Sequence, residues 1–304
     1  GGWPLNAICL PDQRPIYGGT YFRKNDWINI LENVADLWKN EPEKAKNYAE
    51  RLTDGINQSE KIIPAVENVE FELAQLQEII EPWKRHFDIN LGGYNRAPKF
   101  PLPNNWSFML RYSFLAAEEA TFMATCTTLE QMSMGGIYDQ IGGGFARYSV
   151  DDQWHVPHFE KMLYDNAQLI SVYADAYKRT HNPLYKTVVE KTISFVTQEL
   201  TDSTGGFYAS LDADSIDAQQ HLTEGAFYVW KKKELEAILT DDFSLFSEVF
   251  NINSFGYWEH DNYVLIQNEN LDAIALRHNL TTEKLAAKKT AWEQQLFQFR
   301  EARP

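Results

Sequence analysis

The chain has 304 residues, of which 44% are hydrophobic, 14% aromatic and 23% charged, and its formal net charge is -15. These fractions are ordinary for a globular protein, and the length allows one large domain or one domain with a fragment of another. So strong a negative charge repels phosphate backbones, and no apolar run is long enough to span a bilayer. We therefore expect neither a nucleic-acid-binding protein nor a membrane protein.

Cys9 and Cys126 are the two cysteines, and they form neither a CxxC pair nor a zinc-ligand spacing. A disulfide framework is therefore not expected at this length, and the cysteine usage fits a reducing compartment, so we expect a cytoplasmic protein. The sequence does not begin with Met, opens inside Gly-Gly-Trp-Pro and ends directly after a helical pattern. We therefore expect a piece of a longer protein.

The N-terminal segment predicts a hairpin followed by helices. Apolar runs at 5–10 and 16–22 flank the sequence Pro-Asp-Gln-Arg-Pro, which is typical of a β-hairpin. Apolar residues then recur at helical spacing over 27–38, and Asn25 or Asp26 is the predicted cap of that helix. A further helix follows, so the order is β-β-α-α.

The rest of the chain reads as mainly helical. Pro64 interrupts two helical patterns, which indicates a linker, and we place the domain boundary between residues 62 and 63. Two short β-like runs lie at 206–211 and 225–230. The predicted helices lie at 71–87, 104–124, 127–140, 159–179, 184–200 and 232–239, and from 282 onward. The second domain, 63–304, is therefore predicted to be mainly α.

Three Gly-Gly-aromatic motifs each follow a predicted helix, and two helices separate each motif from the next. Paired glycines permit positive φ, so they end a helix and turn the chain sharply. The motifs are Gly92-Gly93-Tyr94, Gly143-Gly144-Phe145 and Gly205-Gly206-Phe207. We interpret them as a repeated αα-hairpin, whose unequal spacing favours a toroid with loop insertions. The loops would then meet on one face. Chance recurrence of a common helix-ending signal is the alternative.

The segment 142–167 is densely filled with rings, carboxylates and imidazoles. Pro157 bars the helical conformation at the residue before it, which places His155 in a loop and His158 near the first turn of the next helix. Asp165 would then share a helix face with His158, and an imidazole beside a carboxylate can act as a general base. A capped helix start with a satisfied histidine is the alternative.

A second group of carboxylates consists of Asp212, Asp214 and Glu224. Asp212 and Asp214 point to the same side if the chain is extended there. Carboxylates that face each other across a cleft can cleave a glycosidic bond, and they can also hydrogen-bond sugar hydroxyls without catalysis. An EF-hand fails because Ile216 occupies the third ligand position. A solvated acidic turn is the alternative.

Cationic side chains accompany the glycine motifs. Arg96, Lys99 and Arg147 could donate to a ligand, or they could pair with carboxylates in a buried network. The Val-Pro between His155 and His158 does not hold them on one helix face, so we expect no metal site. The P-loop, the dinucleotide fingerprint, HExxH and G-x-S-x-G are all missing from the sequence, and we expect no cofactor.

Several long motifs together resemble one family. They are GGWPL with PDQRPIYGGTYF, GGYNRAPKFP, GGIYDQIGGGFARYSVDDQWHVPHFEKMLYDNAQL, GGFYASLDADS and EGAFYVW. Spread over 1–263, they are similar to the YyaL-type family of thioredoxin-domain proteins, which includes the spermatogenesis-associated thioredoxin-like proteins of animals. The resemblance implies that 1–62 is the C-terminal part of a thioredoxin-like domain, with a cis bond between Trp3 and Pro4. It also places the family's cysteine motif upstream, so we expect no thiol-disulfide activity.

For 63–304 the resemblance implies an (α/α)6-type toroid, incomplete at its C-terminus, similar to N-acylglucosamine 2-epimerases and six-hairpin glycosidases. We expect a small, sugar-like ligand, and no oligomeric state follows. An epimerase-like enzyme would use imidazoles as acid and base, whereas a glycosidase-like one would use Asp139 with the second group of carboxylates. A non-catalytic sugar-binding or redox-partner scaffold is the third hypothesis.

Across these hypotheses the candidate residues fall into two sets. The catalytic candidates are His155, His158, Asp165 and Glu224. The substrate-binding candidates are Tyr94, Lys99, Asp139, Phe145, Arg147, Tyr148, Trp154, Glu160, Tyr164, Asn166, Asp212, Asp214 and Tyr228.

Overall fold

In the computed structural model the chain divides into two compact units, Gly1–Phe71 and Glu72–Pro304. The structure describes residues 4–64, 70 and 72–303. The predicted boundary between residues 62 and 63 lies nine residues before this division. The predicted cis bond between Trp3 and Pro4 lies outside the described residues, because Trp3 is not among them. Within the described ranges, no helix has both the length and the apolar character needed to cross a bilayer.

Unit 1 is a hairpin with two helices, in the order that the sequence predicts. Its elements are β1 (Asn6–Cys9), β2 (Pro15–Gly19), α1 (Lys24–Asn40) and α2 (Pro42–Glu60). The two strands are antiparallel, and Leu10 and Ile16 bury their side chains with Ala49 of α2. Helix α1 begins before Asn25 and Asp26, and no side chain caps it, so the predicted cap is wrong.

Unit 2 is built mainly of helices, which confirms the mainly α fold class. They are α3 (Leu73–Lys84), α4 (Pro103–Leu115), α5 (Glu119–Met134), α6 (Leu163–Thr180), α7 (Pro183–Glu199), α8 (Lys232–Leu239), α9 (Phe243–Val249), α10 (Leu271–Arg277) and α11 (Thr282–Arg300). The predicted break near residue 125 instead lies after Leu115, where Ala117 takes a positive φ of 52°. Helices α9 and α10 lie in a polar stretch for which the sequence predicted no helix.

Short strands join the helices of unit 2. They are β3 (Tyr148–Ser149), β4 (Pro157–His158), β5 (Lys161–Met162), β6 (Ser210–Leu211), β7 (Asp214–Ile216), β8 (Leu222–Glu224), β9 (Trp230–Lys231) and β10 (Asn262–Tyr263). They form antiparallel pairs: β3 with β4, β5 with β6, β7 with β8 and β9 with β10. The predicted helix from residue 159 is therefore wrong over its first residues, since β5 pairs with β6. His158 and Asp165 do not share a helix face.

Two hydrophobic clusters form the interior of unit 2. The first lies among α3 to α7 and includes the buried rings of Trp106, Trp154 and Tyr173. The second lies among α8 to α11 and includes Phe246 and Trp292. Aromatic residues contribute much of this buried area, which explains why the sequence is so rich in them.

The Gly-Gly loops share one hydrogen-bonding pattern, which supports a true repeat over chance. In each loop an aspartate donates its backbone N–H to the carbonyl of the second glycine, and its carboxylate accepts backbone N–H groups within the turn. The aspartates are Asp88, Asp139 and Asp202, and the glycines are Gly93, Gly144 and Gly206. An antiparallel bridge closes each loop, between Phe87 and Tyr94, Tyr138 and Phe145, and Thr201 and Phe207.

A buried lysine completes the first two loops. The Nζ of Lys99 lies 2.9 Å from the Asp88 carboxylate and 2.8 Å from the Gly92 carbonyl. The Nζ of Lys161 lies 2.9 Å from the Asp139 carboxylate and 2.9 Å from the carbonyl of Gly143.

The backbone of each lysine also joins its loop to the following one. Lys99 bridges to Ser149, after the second loop, and Lys161 pairs with Leu211, after the third. Each lysine therefore binds its own glycine loop through its side chain and pairs through its backbone with the segment that follows the next loop.

Gly143 and Gly205 allow a matched test of this packing. Gly143 has a φ of +76°, and a Cβ there would lie 2.7 Å from the carbonyl oxygen of Lys191. Gly205 has a φ of +86°, and a Cβ there would meet nothing within 4 Å. Gly205→Ala should cost about 1 kcal/mol of conformational strain, whereas Gly143→Ala should cost roughly 1–3 kcal/mol more from the backbone clash.

Urea denaturation of the two variants beside the unchanged protein measures both costs as free energies of unfolding. Equal losses for the two substitutions would show that the second loop does not pack closely against α7.

Candidate functional site

Asp139 lies at the centre of a buried ion network. Its carboxylate is 2.9 Å from Lys161 Nζ and 2.9 Å from Arg300 Nη1. It also accepts the backbone N–H groups of Ile141 and Gly142, each at 3.0 Å. Burial by itself would raise the pKa of Asp139, but the charges of Arg300 and Lys161 outweigh it and hold that pKa well below its ordinary range. Asp139 therefore stays charged and anchors the loop.

A pocket of about 240 Å³ opens beside this network. Its wall includes Lys161, Arg300, Tyr228 and the predicted carboxylates Asp212 and Asp214. The Lys161 ammonium lies 4.7 Å from the centre of the Tyr228 ring. Burial raises the pKa of Tyr228, so its hydroxyl stays protonated. The pocket thus combines charged groups with an aromatic wall.

His158 and Glu224 form a second cluster. Strand β4 carries His158 and β8 carries Glu224, and His158 Nδ1 lies 2.8 Å from Glu224 Oε1. The imidazole stacks on the Tyr148 ring at 5.0 Å between centroids, because β3 and β4 pair these residues directly. The His158 side chain keeps 29% of its surface exposed. The imidazole is therefore oriented by a carboxylate and still accessible to a ligand.

Glu160 and Arg147 border the imidazole. Glu160 Oε2 is 3.7 Å from His158 Nε2 and 3.0 Å from Arg147 Nη1. The charge of Arg147 also acts on Asp165, on the first turn of α6, where it favours the charged carboxylate and lowers the pKa of Asp165. Tyr164 precedes Asp165 and is about half exposed. The imidazole therefore lies between the carboxylates of Glu160 and Glu224, and Arg147 is linked to it through Glu160.

Asp165 is a buried carboxyl group whose loss of hydration is only partly offset by nearby charges and hydrogen bonds. It is 8% exposed, and its Oδ2 has no hydrogen-bond partner. Burial raises the pKa of Asp165 to about 6, while the charge of Arg147 lowers it.

The next residue, Asn166, holds the second glycine loop. Its side chain donates a hydrogen bond to the Phe145 carbonyl and accepts one from the Phe145 N–H. It ties the second glycine loop to α6.

Four of the predicted substrate-binding residues instead make structural contacts, either in the packed interior or with a loop. Lys99 is 1% exposed and binds the first glycine loop. Tyr94 accepts a hydrogen bond from Asn105, and Phe145 packs between Tyr138 and Tyr173. Trp154 is fully buried and donates its indole N–H to the Leu91 carbonyl.

His155 has surroundings different from those of His158. Its backbone N–H donates to the Asp151 carboxylate, and its ring Nε2 is buried without a hydrogen-bond partner. Burial lowers the pKa of His155, which favours the neutral ring. Asp151 also accepts the Val156 N–H at 2.6 Å. His155 therefore belongs to the turn that shapes this segment, and the two histidines do not form a pair.

Arg300 and Glu199 line the pocket but were not among the predicted site residues. Arg300 ends α11, and 161 residues separate it from Asp139. Glu199 is the last residue of α7. Glu199 ends its helix shortly before Gly205 and Gly206, and that position is a sequence signal that could have identified it. No comparable local signal marks Arg300. Among the residues that the structure describes, no group of three or more His, Cys, Asp or Glu is arranged to hold a metal ion.

Comparisons with known proteins match the two parts of the chain differently. Residues 1–57 match the family model Thioredox_DsbH, described as "Protein of unknown function, DUF255". Spermatogenesis-associated protein 20 of Mus musculus is 33% identical, over 100% of this chain and 42% of the mouse protein. An uncharacterized protein of Caenorhabditis elegans is 34% identical, over 94% of this chain and 41% of the nematode protein.

Human spermatogenesis-associated protein 20 is 31% identical, over 100% of this chain and 43% of the human protein. The chain thus spans about two fifths of the length of these curated relatives. Among solved structures, the cellobiose 2-epimerase of Bacillus thermoamylovorans matches with a TM-score of 0.40 and 13% identity, over 59% of this chain and 56% of that chain.

Asp165→Asn should stabilise the protein in a pH-dependent way. With a native pKa of about 6 against an ordinary 3.8, the charged carboxylate is disfavoured in the folded state. The variant should gain up to about 3 kcal/mol at pH 8. As pH falls through 6, native Asp165 binds a proton and the penalty disappears, so the two proteins should be nearly equal near pH 4.

The free energy of unfolding in urea at pH 8, 6 and 4 measures this difference, with exposed Asp152→Asn as the control. A difference that does not change with pH would contradict the raised pKa.

Proposed function

The chain resembles the thioredoxin-domain family of spermatogenesis-associated protein 20 along its whole length, and we propose for unit 2 a proton transfer at a carbon of a small, sugar-like molecule. This is the chemistry of a sugar epimerase or isomerase. The observation that carries the proposal is the 2.8 Å contact between His158 Nδ1 and Glu224 Oε1, beside an accessible ring. A carboxylate on Nδ1 fixes the tautomer and stabilises the imidazolium.

In this proposal His158 is the base. With Nδ1–H donated to Glu224, the Nε2 atom carries the free lone pair and can accept a proton from a carbon next to a carbonyl group. The electrons of the broken C–H bond move to the carbonyl oxygen, which becomes negatively charged. Return of the proton to the opposite face of that carbon, or to its neighbour, gives the epimer or the isomer.

Asp165 and Arg147 would stabilise the negative charge that develops on the carbonyl oxygen of the ligand. A carboxyl group whose pKa is about 6 is partly protonated near neutral pH and can donate a hydrogen bond. The Arg147 guanidinium can stabilise the developing negative charge. The stacked Tyr148 ring keeps the imidazole plane fixed while the proton moves.

The hydrolytic alternative has less support. A glycosidase needs one protonated carboxyl group as acid and a second carboxylate as base or nucleophile. Asp139 cannot supply the acid because two cations hold its pKa well below the ordinary range. Glu224 is already engaged by His158. Asp212 and Asp214 line the pocket, where they suit hydrogen bonds to hydroxyl groups.

Proton NMR in heavy water tests the proposal without assuming a product. The protein in its natural length is incubated with aldoses, ketoses and N-acyl hexosamines, and the carbon-bound proton signals are followed. We expect one signal to disappear, at a rate that falls about 100-fold or more in His158→Ala, the usual effect of losing a general base. Glu224→Gln should slow the exchange less, because the imidazole remains.

His278→Ala is the matched control, since His278 also contacts a glutamate, Glu248, at 2.6 Å. It should leave the exchange rate unchanged. Binding of a sugar without exchange would support the non-catalytic scaffold. Exchange that is equally fast in His158→Ala would rule out His158 as the base.

A further inference from the structure

The pocket beside Asp139 carries more negative than positive charge. Five carboxylates and two cations line it, and Asp139 binds both of the cations, Lys161 and Arg300. The other carboxylates belong to Glu199, Asp212, Asp214 and Glu301. Since the network of Asp139 has only one positive charge in excess, these four carboxylates are not neutralised within the pocket.

Glu199 shows the consequence of this imbalance. It is partly buried at the end of α7. Burial first, and then the neighbouring charge of Glu301, raise the pKa of Glu199, although Lys161 and Arg300 act in the opposite direction. A carboxylate in this state is stabilised by any cation that enters the pocket.

Arg300 adds an independent requirement. It is 3% exposed, and although Nη1 binds Asp139, its Nε is buried without a hydrogen-bond partner. An unpaired buried N–H is destabilising, and a ligand oxygen could pair with it. The occupant should therefore offer a hydrogen-bond acceptor as well as a positive charge.

The walls of the pocket strengthen both interactions. Phe195, Phe227, Tyr228 and Phe297 contribute rings to the lining. Lys161 Nζ lies 4.4 Å from the Phe195 ring centre, and the Arg300 guanidinium lies 5.0 Å from that of Phe227. Aromatic walls exclude water, so charges interact more strongly there than on an open surface.

The pocket lies next to the imidazole cluster. Strand β7 carries Asp214 into the pocket lining, and β8 carries Glu224 to His158. Asp214 and Glu224 are direct partners in this antiparallel pair. Directly opposed residues project to the same face, so one hairpin connects the pocket with the candidate base.

Resting on the sugar-like ligand of the proposed function, we propose that this pocket selects a polyhydroxylated ligand that carries a protonated amine, such as an amino sugar. The ammonium group contacts Glu199, Asp212 and Asp214, and a hydroxyl oxygen accepts from Arg300 Nε. Sugars that carry a phosphate or a carboxylate are repelled by the same side chains.

Three hexoses that differ in charge test this selection: glucosamine, glucose and glucuronate. Calorimetric titration of the natural-length protein should show glucosamine binding about tenfold more tightly than glucose, with glucuronate weakest. Added salt should reduce the preference, because it screens the carboxylates. Equal affinities for glucosamine and glucose, tighter binding of glucuronate, or no binding of any of the three at millimolar concentration would overturn the inference.

Glu199→Gln should remove most of the preference for glucosamine, and Asp214→Asn, at an exposed position, should reduce it without disturbing the fold. Glu236→Gln, an exposed change on α8, should leave it unchanged. The two proposals can fail separately. An amine preference without proton exchange contradicts only the proton-transfer function, whereas exchange on neutral sugars without an amine preference contradicts only this inference.

Discussion

The buried contact between a lysine and a loop aspartate is the interaction on which unit 2 depends. Removing both charges from water is costly, and the cost is offset only when the remaining hydrogen bonds of each group are made. Lys161 meets this condition by binding the Asp139 carboxylate and the Gly143 carbonyl together. Because the glycine carbonyl must point at the ammonium group, the ion pair also determines the shape of the loop.

The same contact explains how the site is positioned. In the first repeat the chain passes from Tyr94 to Lys99 through residues 95–98, whereas in the second it passes from Phe145 to Lys161 through residues 146–160. The longer segment contributes Arg147, Tyr148, His158 and Glu160 of the imidazole cluster. It is an insertion whose two ends are held by a buried loop and a buried lysine, a common way to place reactive groups on a rigid frame.

Local patterns in the sequence were enough to predict the hairpin of unit 1, most of the helices and the glycine loops. Each of these depends on residues that are neighbours along the chain. The start of α6 was wrong because Lys161 and Met162 pair with β6, a segment some fifty residues later that no local pattern reveals. The contact of His158 with Glu224 crosses 66 residues, and that of Asp139 with Arg300 crosses 161. The sequence could nominate His158, Glu224 and Asp139 by residue type, but it could not pair them.

The acidic groups of the candidate site differ in the direction in which their surroundings shift their pKa values. Asp139 is surrounded by cations that stabilise its charge, so it cannot exchange protons near neutral pH and serves as an anchor. Asp165 is buried and Glu199 is partly buried, and cations near them offset this burial less fully, so the pKa of each is raised. Environments that separate the pKa values of neighbouring carboxyl groups are typical of sites that move protons. Asp139 is therefore fixed in its charged form, whereas burial favours the protonated forms of Asp165 and Glu199.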